Sequence, residues 1–265
     1  LYKQYSFETF REGKPEEIKP DFRVKVSELL SIAATKTASD AIFGSAVPVI
    51  SLPDNHQAKL YIESRKIPDK FISMFYYTDA FYEWASHNSD KFNSDSENFS
   101  KDHPRLIIPW YNERLEMIAY QARSFGNEQP KYYTIILDSN SPKIFGLDRV
   151  DITKRIYTVE GPLDSLFLDN AVAVGSSALL NFDDFGLDVV YIFDNEKRNP
   201  EIMKIMGKAI ISGKKVVILP KSWIYKDLNE AVQGGVNLEE LKNIVDENIY
   251  SGMAAKLRFN QWKRS

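Results

Sequence analysis

The sequence has 265 residues, of which 43% are apolar and 27% charged, proportions typical of a soluble globular protein with one large or two small domains. Its 34 basic and 37 acidic residues give a net charge of −3, so any nucleic-acid contact must come from a local basic strip. The absence of cysteine excludes disulfides, thiolate catalysis, zinc ribbons and iron–sulfur clusters for this chain. Three histidines scattered among polar residues argue against a histidine metal site, and no apolar run is long enough to predict a membrane span.

The first half of the chain changes in character three times. Residues 1–50 begin with a polar, proline-marked stretch, which predicts a mobile segment. A helical pattern runs over 54–85, and a Ser/Asn/Asp-rich stretch over 86–103 predicts a long exposed loop. Three short β-type runs then predict an antiparallel meander: 105–111, 117–121 and 132–136. We therefore expect a mixed α+β basic subdomain over 51–150.

From Ile156 onward, short apolar strands alternate with amphipathic helices. Strands are predicted at 156–159, 171–174, 189–193 and 215–219, and helices at 162–168, 200–211, 238–250 and 253–262. This alternation is typical of a mostly parallel sheet buried on both faces. The fold class is therefore α/β, with the sheet domain over 151–235 flanked by helices and C-terminal helices over 236–265. The last helix carries basic residues and no acid, so we expect at least a solvated cationic face there.

Acidic side chains follow three of the four predicted strands. Glu160 follows the first strand directly, and Asp164 lies one turn into the next helix. Asp194 and Glu196 follow the third strand, and Asp227 lies a short loop after the fourth. Ligands of parallel sheets bind at the carboxyl ends of the strands, so these acids are expected to lie together. Acids at strand ends often cap the next helix. Taken singly, Asp164 would more often be a capping or surface residue, and the Asp194–Glu196 segment would be an ordinary loop.

Clustered carboxylates repel one another, by roughly 4 kcal/mol for a pair about 4 Å apart at an effective dielectric near 20. The cluster is tolerable only if protons or cations occupy it. Oxygen-only ligands favour Mg²⁺ or Mn²⁺, and a pair of such ions is what phosphoryl or nucleotidyl transfer uses. The sequence therefore predicts a divalent-metal site, and the chemistry leads us to expect two ions.

Three runs carry a resemblance: Val159-Glu-Gly-Pro-Leu-Asp-Ser-Leu-Phe167, Phe193-Asp-Asn-Glu196 and Lys226-Asp-Leu-Asn-Glu230. They resemble the acidic motifs of the Toprim domain, which bacterial-type primases share with topoisomerases and some nucleases. The strand-rich segment before them is similar to the basic subdomain of bacterial-type DNA primases. The pattern from Glu160 to the Gly252-Met-Ala-Ala-Lys256 tail further resembles the primase subunits of T-even-like bacteriophages.

The resemblance implies an enzyme, a DNA-directed RNA polymerase core that makes short RNA primers on single-stranded DNA from ribonucleoside triphosphates. Glu160, Asp194 and Glu196 would be catalytic, with Asp194 and Glu196 at the family's metal pair, although Glu196 stands where Asp is usual. The expected metal ligands are Glu160, Asp164, Asp194, Glu196 and Asp227. A replicative hexameric helicase is the implied partner, in the host cytoplasm at the phage replication fork. Relatives carry a zinc-binding module before this region, and the start at Leu1 suggests that it has been removed.

Basic side chains of the meander are expected to face phosphates, which the guanidinium fork suits. The predicted nucleotide- or template-binding residues are Arg105, Arg123, Lys131, Lys143, Lys226 and Asn229. Two alternatives stay open. A Toprim nuclease or topoisomerase-like enzyme would cleave DNA with Mg²⁺, whereas a non-catalytic replisome adaptor would bind single-stranded DNA or helicase without turnover.

Overall fold

The computed structural model describes residues 43–87, 101–174 and 186–264. The predicted loop over 86–103 lies mostly outside these ranges. Of the predicted mobile segment 1–50, residues 43–50 are described: Phe43 is buried, and Val47–Pro48 forms the first strand, β1. All described residues belong to one unit, Ser39–Ser265, which contains two sheets.

The first sheet is antiparallel and has the order β1-β2-β3-β4-β5. Its further strands are β2 (Tyr76–Thr78), β3 (Arg105–Tyr111), β4 (Met117–Ser124) and β5 (Tyr132–Ile136). The predicted meander is therefore confirmed. Short helical segments cover the sheet: α1 (Gln57–Ser64), α2 (Phe81–Ser86) and 3-10 turns at Val49–Ser51 and Asp69–Met74.

The helical pattern predicted over 54–85 is wrong for β2. Tyr76, Tyr77 and Thr78 are all buried, and they pair with β3 along its first residues. A three-residue apolar run has no periodicity of its own, so the surrounding helical pattern concealed a strand that pairing with a distant partner stabilises.

The second sheet has the order β11-β10-β9-β7-β8-β6, in which the four inner strands are parallel and both edges antiparallel. Its strands are β6 (Ile144–Phe145), β7 (Ile156–Val159), β8 (Ala171–Val174), β9 (Val189–Tyr191), β10 (Lys215–Val217) and β11 (Ile249–Tyr250). The α/β class and the mostly parallel sheet are confirmed. The sheet takes its first strand from Ile144–Phe145, slightly before the predicted domain boundary.

Alternate residues of the inner strands enter two different cores. On β7, Tyr157 and Val159 pack into the core shared with the first sheet, whereas Ile156 packs into the core under the outer helices. On β9, Val190 and Tyr191 divide in the same way. Both faces of the sheet are buried, which explains why the inner strands are mostly apolar and do not alternate regularly with polar residues.

Four helices cover the second sheet: α3 (Pro200–Ile211), α4 (Leu228–Gln233), α5 (Leu238–Glu247) and α6 (Gly252–Trp262). Helix α3 begins where predicted because the Asn199 side chain accepts hydrogen bonds from the Glu201 and Ile202 amides and Pro200 occupies the first turn. No helix in the described part of the chain is long and apolar enough to cross a membrane.

Two predicted helices are corrected. The segment 162–168 forms only a 3-10 turn, Asp164–Phe167. The helix predicted over 238–250 ends at Glu247, and Ile249–Tyr250 adds a strand to the edge of the sheet instead. The 3-10 turn positions the acidic side chain of Asp164, and Ile249–Tyr250 pairs with β10.

Candidate active site

The carboxyl ends of β7 and β9 lie side by side, since these strands are parallel neighbours. Glu160 follows β7 directly, and Asp194 follows β9 after two further buried residues. Both carboxylates line one narrow crevice together with Asp164, Lys226 and Asp227. The predicted convergence of acids from separate loops is therefore present in the structure.

The crevice is small, about 10 Å³, which is room for roughly one water molecule or ion. Burial raises the pKa of Glu160, and the neighbouring Asp194 carboxylate raises it further. The pKa of Asp194 is raised by burial as well, against the opposing effect of Lys226. Both shifts show that negative charge is costly in this crevice unless a cation or a proton balances it.

Lys226 supplies such a cation. Its Nζ lies 2.9 Å from Glu196 Oε1 and 3.4 Å from Asp194 Oδ2. The pKa of Glu196 is lowered by hydrogen bonds from Asn199 and Lys226, while that of Lys226 is raised, chiefly by its hydrogen bond to Glu196. An ammonium group therefore bridges the two acids that the sequence assigned to a metal pair.

Asn195 lies between these two acids and has a structural role that the sequence did not reveal. Its side chain donates to the carbonyls of Tyr225 (3.1 Å) and Trp223 (3.4 Å) and accepts from Trp262 Nε1 (2.8 Å). Its backbone N–H donates to the Lys226 carbonyl. Asn195 thereby ties the loop after β9 to the loop carrying Lys226 and to helix α6, which fixes Asp194 and Glu196 in place.

Asp164 lies at the start of the 3-10 turn and accepts a hydrogen bond from the Asn229 amide at 2.9 Å. Gly161 makes room for it: a Cβ at that position would lie 2.8 Å from Asp164 Oδ2, so a larger residue would displace the carboxylate. Burial and the nearby Asp227 carboxylate raise the pKa of Asp164 to about 7. Asp164 can therefore hold a proton near neutral pH.

Asp227 caps helix α4. Its side chain accepts from the Glu230 amide at 2.7 Å, and the Glu230 side chain accepts in return from the Lys226 amide. This reciprocal pair is a variant of the capping box, in which the glutamate reaches the residue before the N-cap, and it stabilises the first turn of the helix. Asp227 lines the crevice as well, so its role as a helix cap is compatible with its predicted role as a metal ligand, which stays a prediction.

Asn229 was predicted to contact nucleotide or template, and the structure contradicts this. The residue is buried at 2% exposure, and its side chain exchanges two hydrogen bonds with Arg65, at 2.8 Å through Oδ1 and 2.7 Å through Nδ2. Arg65 ends helix α1, and Gln233 of α4 reaches the Ser64 carbonyl beside it. Asn229 therefore joins the helix over the first sheet to the active-site loops.

Arg105 is likewise corrected from a phosphate contact to a structural residue. Its side chain is completely buried, and its guanidinium donates to the carbonyls of Ala122 and Pro130, each at 2.8 Å, and to His103. Arg123 is 7% exposed and donates to the Ser124 carbonyl and the Tyr132 hydroxyl. Little of either guanidinium remains for a ligand. The two lysines, Lys131 and Lys143, are exposed, so their predicted template contacts remain predictions.

A second, larger cavity of about 320 Å³ opens beside the crevice. It is lined by Glu160, Asp164 and Asp194 from the second sheet and by Gln121 and Tyr132 from the first. This volume falls within the range of small-molecule sites. The sequence did not reveal Gln121, because a glutamine on an antiparallel strand is indistinguishable from an ordinary surface residue.

The acidic side chains of the site are suited to a divalent cation, because all of them offer hard carboxylate oxygens. Among the described residues, no three histidine, aspartate or glutamate side chains are arranged so that together they could hold an ion. Mg²⁺ commonly binds through one or two carboxylates, with water and substrate phosphates completing its shell. The Asp194–Glu196 pair, already bridged by an ammonium, matches this mode.

Solved structures identify the class of the fold. The catalytic core of the Escherichia coli primase superposes with a TM-score of 0.58 at 17% identity, covering 86% of this chain and 83% of that one. A DNA primase domain from Pseudomonas aeruginosa gives 0.58 at 18%, covering 88% and 81%. The fold is that of a primase catalytic core. No family model matches the sequence.

The sequence itself shows the family. It is 32% identical over 272 residues to the DNA primase of Enterobacteria phage T4, a match that takes in the whole of this chain and 75% of that protein. The chain belongs to the DNA primase family, nucleotidyltransferases that synthesise RNA primers. This membership confirms the resemblance found in the motifs and sets aside the nuclease, topoisomerase and adaptor hypotheses.

Replacing Arg105 by alanine is expected to lower the free energy of unfolding by about 3 kcal/mol or more, because buried carbonyls lose their donors. Urea unfolding monitored by circular dichroism measures the change. Lys131→Ala, an exposed neighbour, serves as control and should change stability by less than about 0.5 kcal/mol. Unchanged stability in Arg105→Ala, together with weaker nucleotide binding, would contradict the structural role.

The pKa of Asp164 predicts a pH-dependent stability. Its raised value means that the folded protein binds this proton more tightly than the unfolded chain does, so the free energy of unfolding falls as pH rises towards about 7. Between pH 5 and pH 8, wild type should lose about 2–3 kcal/mol more than Asp164→Asn. Urea unfolding in EDTA at both pH values tests this, with Asp169→Asn as an exposed control. Equal losses in wild type and Asp164→Asn would show that Asp164 is ionised throughout.

Proposed function

We propose that the crevice and the adjoining cavity form the site of nucleotidyl transfer, using single-stranded DNA as template and ribonucleoside triphosphates as substrates. The observation that carries this proposal is the pairing of Glu160 and Asp194 at adjacent strand ends, both also lining the larger cavity. In support, the catalytic domain of a DnaG primase that was solved bound to single-stranded DNA has a similar fold, with a TM-score of 0.54.

In this reaction the primer 3′-oxygen forms a bond to the α-phosphorus of the incoming nucleotide, the bond to pyrophosphate breaks, and the hydroxyl proton leaves. Glu160 is the group assigned to accept that proton. Its raised pKa makes it a stronger base than an ordinary carboxylate. Its place at the junction of crevice and cavity puts it where hydroxyl and phosphate would meet.

Asp194 and Glu196 are assigned as the carboxylates that bind the divalent cation, Mg²⁺ or Mn²⁺, with Glu160, Asp164 and Asp227 around them. The cation supplies charge stabilisation for the phosphate oxygens in the transition state. The one-methylene-longer arm of Glu196 is held by Asn199, whose amide donates to it at 2.5 Å. This hydrogen bond orients the longer side chain of Glu196.

The incoming nucleotide is assigned to the larger cavity. Tyr132, 38% exposed on β5, offers a ring face on which a base can stack, and Gln121 offers a polar amide next to it. Lys226, whose ammonium lies beside Asp194 and Glu196, is assigned to contact the triphosphate. Lys131 and Lys143, both exposed, stay the candidates for template phosphates. The helicase partner and the host cytoplasm follow from family membership alone and remain predictions.

Replacing Asp194 by asparagine should reduce primer synthesis by at least about 100-fold, because the variant keeps the shape of the side chain and loses its charge. Incorporation of labelled ribonucleotides on a single-stranded template with Mg²⁺ measures the loss. Asp169→Asn removes an exposed acid outside the crevice and should retain full activity. If Asp194→Asn made primers at the wild-type rate, this carboxylate would have no part in the reaction.

Replacing Lys226 by glutamine should tighten Mn²⁺ binding by about 3- to 10-fold, since removing a competing cation from two carboxylates favours another cation. Free Mn²⁺ measured by electron paramagnetic resonance gives the dissociation constant without turnover. Lys221→Gln, an exposed lysine of the same loop, is the control. An unchanged Mn²⁺ constant combined with a raised KM for nucleotide would restrict Lys226 to substrate binding.

A further inference from the structure

A third cavity, of about 610 Å³, lies between helix α6 and the edge of the second sheet formed by β10 and β11. Its basic lining residues are Lys221, Arg258 and Arg264, and no acidic residue lines it in the described part of the chain. Only Leu219 lines both this cavity and the acidic crevice. We name it the α6 cavity, and the proposed reaction makes no use of it.

The charge of the α6 cavity contrasts with that of the whole chain. The segment 252–265 carries four basic residues and no acid, in a protein whose net charge is −3. Two of those four, Arg258 and Arg264, line the cavity, and Lys221 joins them from the loop after β10. A local concentration of cations in an acidic protein attracts polyanions and would repel other cations.

Aromatic and amide groups lie among these cations. Tyr250, on β11, lines the cavity and has the Arg258 guanidinium 5.3 Å above its ring. Gln261 lines it as well, while Trp262 is a buried part of its wall at 5% exposure, so Tyr250 is the ring assigned to stacking. Alternation of cationic and aromatic groups in an open groove is what proteins use to hold single-stranded nucleic acid, by phosphate contact and base stacking.

The size of the cavity and the origin of its cations favour a strand over a single phosphate. Arg258 lies on α6, Arg264 follows the end of that helix, and Lys221 comes from the loop after β10. A volume of about 610 Å³ falls within the range of sites for whole organic ligands, more than one phosphate fills. Each arginine fork can bind a phosphate, so the three cations can contact successive phosphates of one strand.

We infer that the α6 cavity binds a single-stranded nucleic acid at a site separate from the catalytic acids. The strand is either template DNA that has left the active site or the RNA primer, since both present the same phosphates and bases. Trp262 connects the two regions, because it lines the cavity and donates to Asn195 between the catalytic acids.

The test compares two double variants of the whole 265-residue chain. Arg258→Gln with Arg264→Gln removes two cations from the α6 cavity, whereas Lys256→Gln with Lys263→Gln removes two exposed cations of the same segment that do not line it. Fluorescence anisotropy with labelled dT and U 12-mers in EDTA measures affinity at several salt concentrations. Without metal or nucleoside triphosphate, the result is independent of the catalytic proposal.

The cavity variant should bind at least 5-fold more weakly than wild type, and its salt dependence should fall by about 1.4 in slope, corresponding to two lost phosphate contacts. The control variant should change affinity by less than 2-fold. Arg258→Lys with Arg264→Lys retains the charge and should restore most of the salt dependence, which excludes misfolding as the cause.

Preference for the U 12-mer assigns the cavity to the primer, and preference for the dT 12-mer assigns it to the template. An equal loss in the cavity and control variants would overturn the proposal, because general charge would then explain binding. Competition by poly-glutamate as effective as that by oligonucleotides would overturn it too, since the cavity would then fit an acidic polypeptide.

Discussion

Mutual repulsion among carboxylates at the end of a parallel sheet governs this candidate active site. Glu160, Asp164, Asp194 and Asp227 line a crevice with room for about one ion, so their charges cannot be separated by solvent. The structure balances them with the Lys226 ammonium beside Asp194 and with the raised pKa of Asp164. In the proposed reaction, a divalent cation would supply the same balance of charge.

Much of the scaffold exists to keep the acids together. Asn195 fixes the loop between Asp194 and Glu196, the capping box fixes the turn before α4, and Arg65 grips Asn229 from the other sheet. Asn195 acts through its neutral amide and its backbone, whereas Asp227 and Arg65 also carry charge that acts on Asp164. Positioning and charge therefore overlap at Asp227, which both caps α4 and lines the crevice.

The parts of the fold that the sequence predicted share a strong local signal. Strands of four or more apolar residues and the capped helix α3 were found at their true positions, and the acids after β7 and β9 came together because parallel strands end at one edge. What failed depended on distant partners. The strand Tyr76–Thr78 and the roles of Arg105 and Asn229 are set by residues far away in sequence. The sequence alone does not distinguish a buried arginine that donates to carbonyls from an exposed arginine that contacts a phosphate.

The three side chains of loop 194–196 point in alternate directions. The Asp194 and Glu196 carboxylates face Lys226, whereas the Asn195 amide between them faces Trp262 and the neighbouring loop. Inserting or deleting one residue here would reverse these directions, so that an acid would face Trp262 and the amide would face Lys226. A glutamate at position 196 differs from an aspartate only in the length of its side chain, and Asn199 holds that longer side chain by a hydrogen bond. Across evolution, this segment should therefore hold its length more strictly than the identity of its acids.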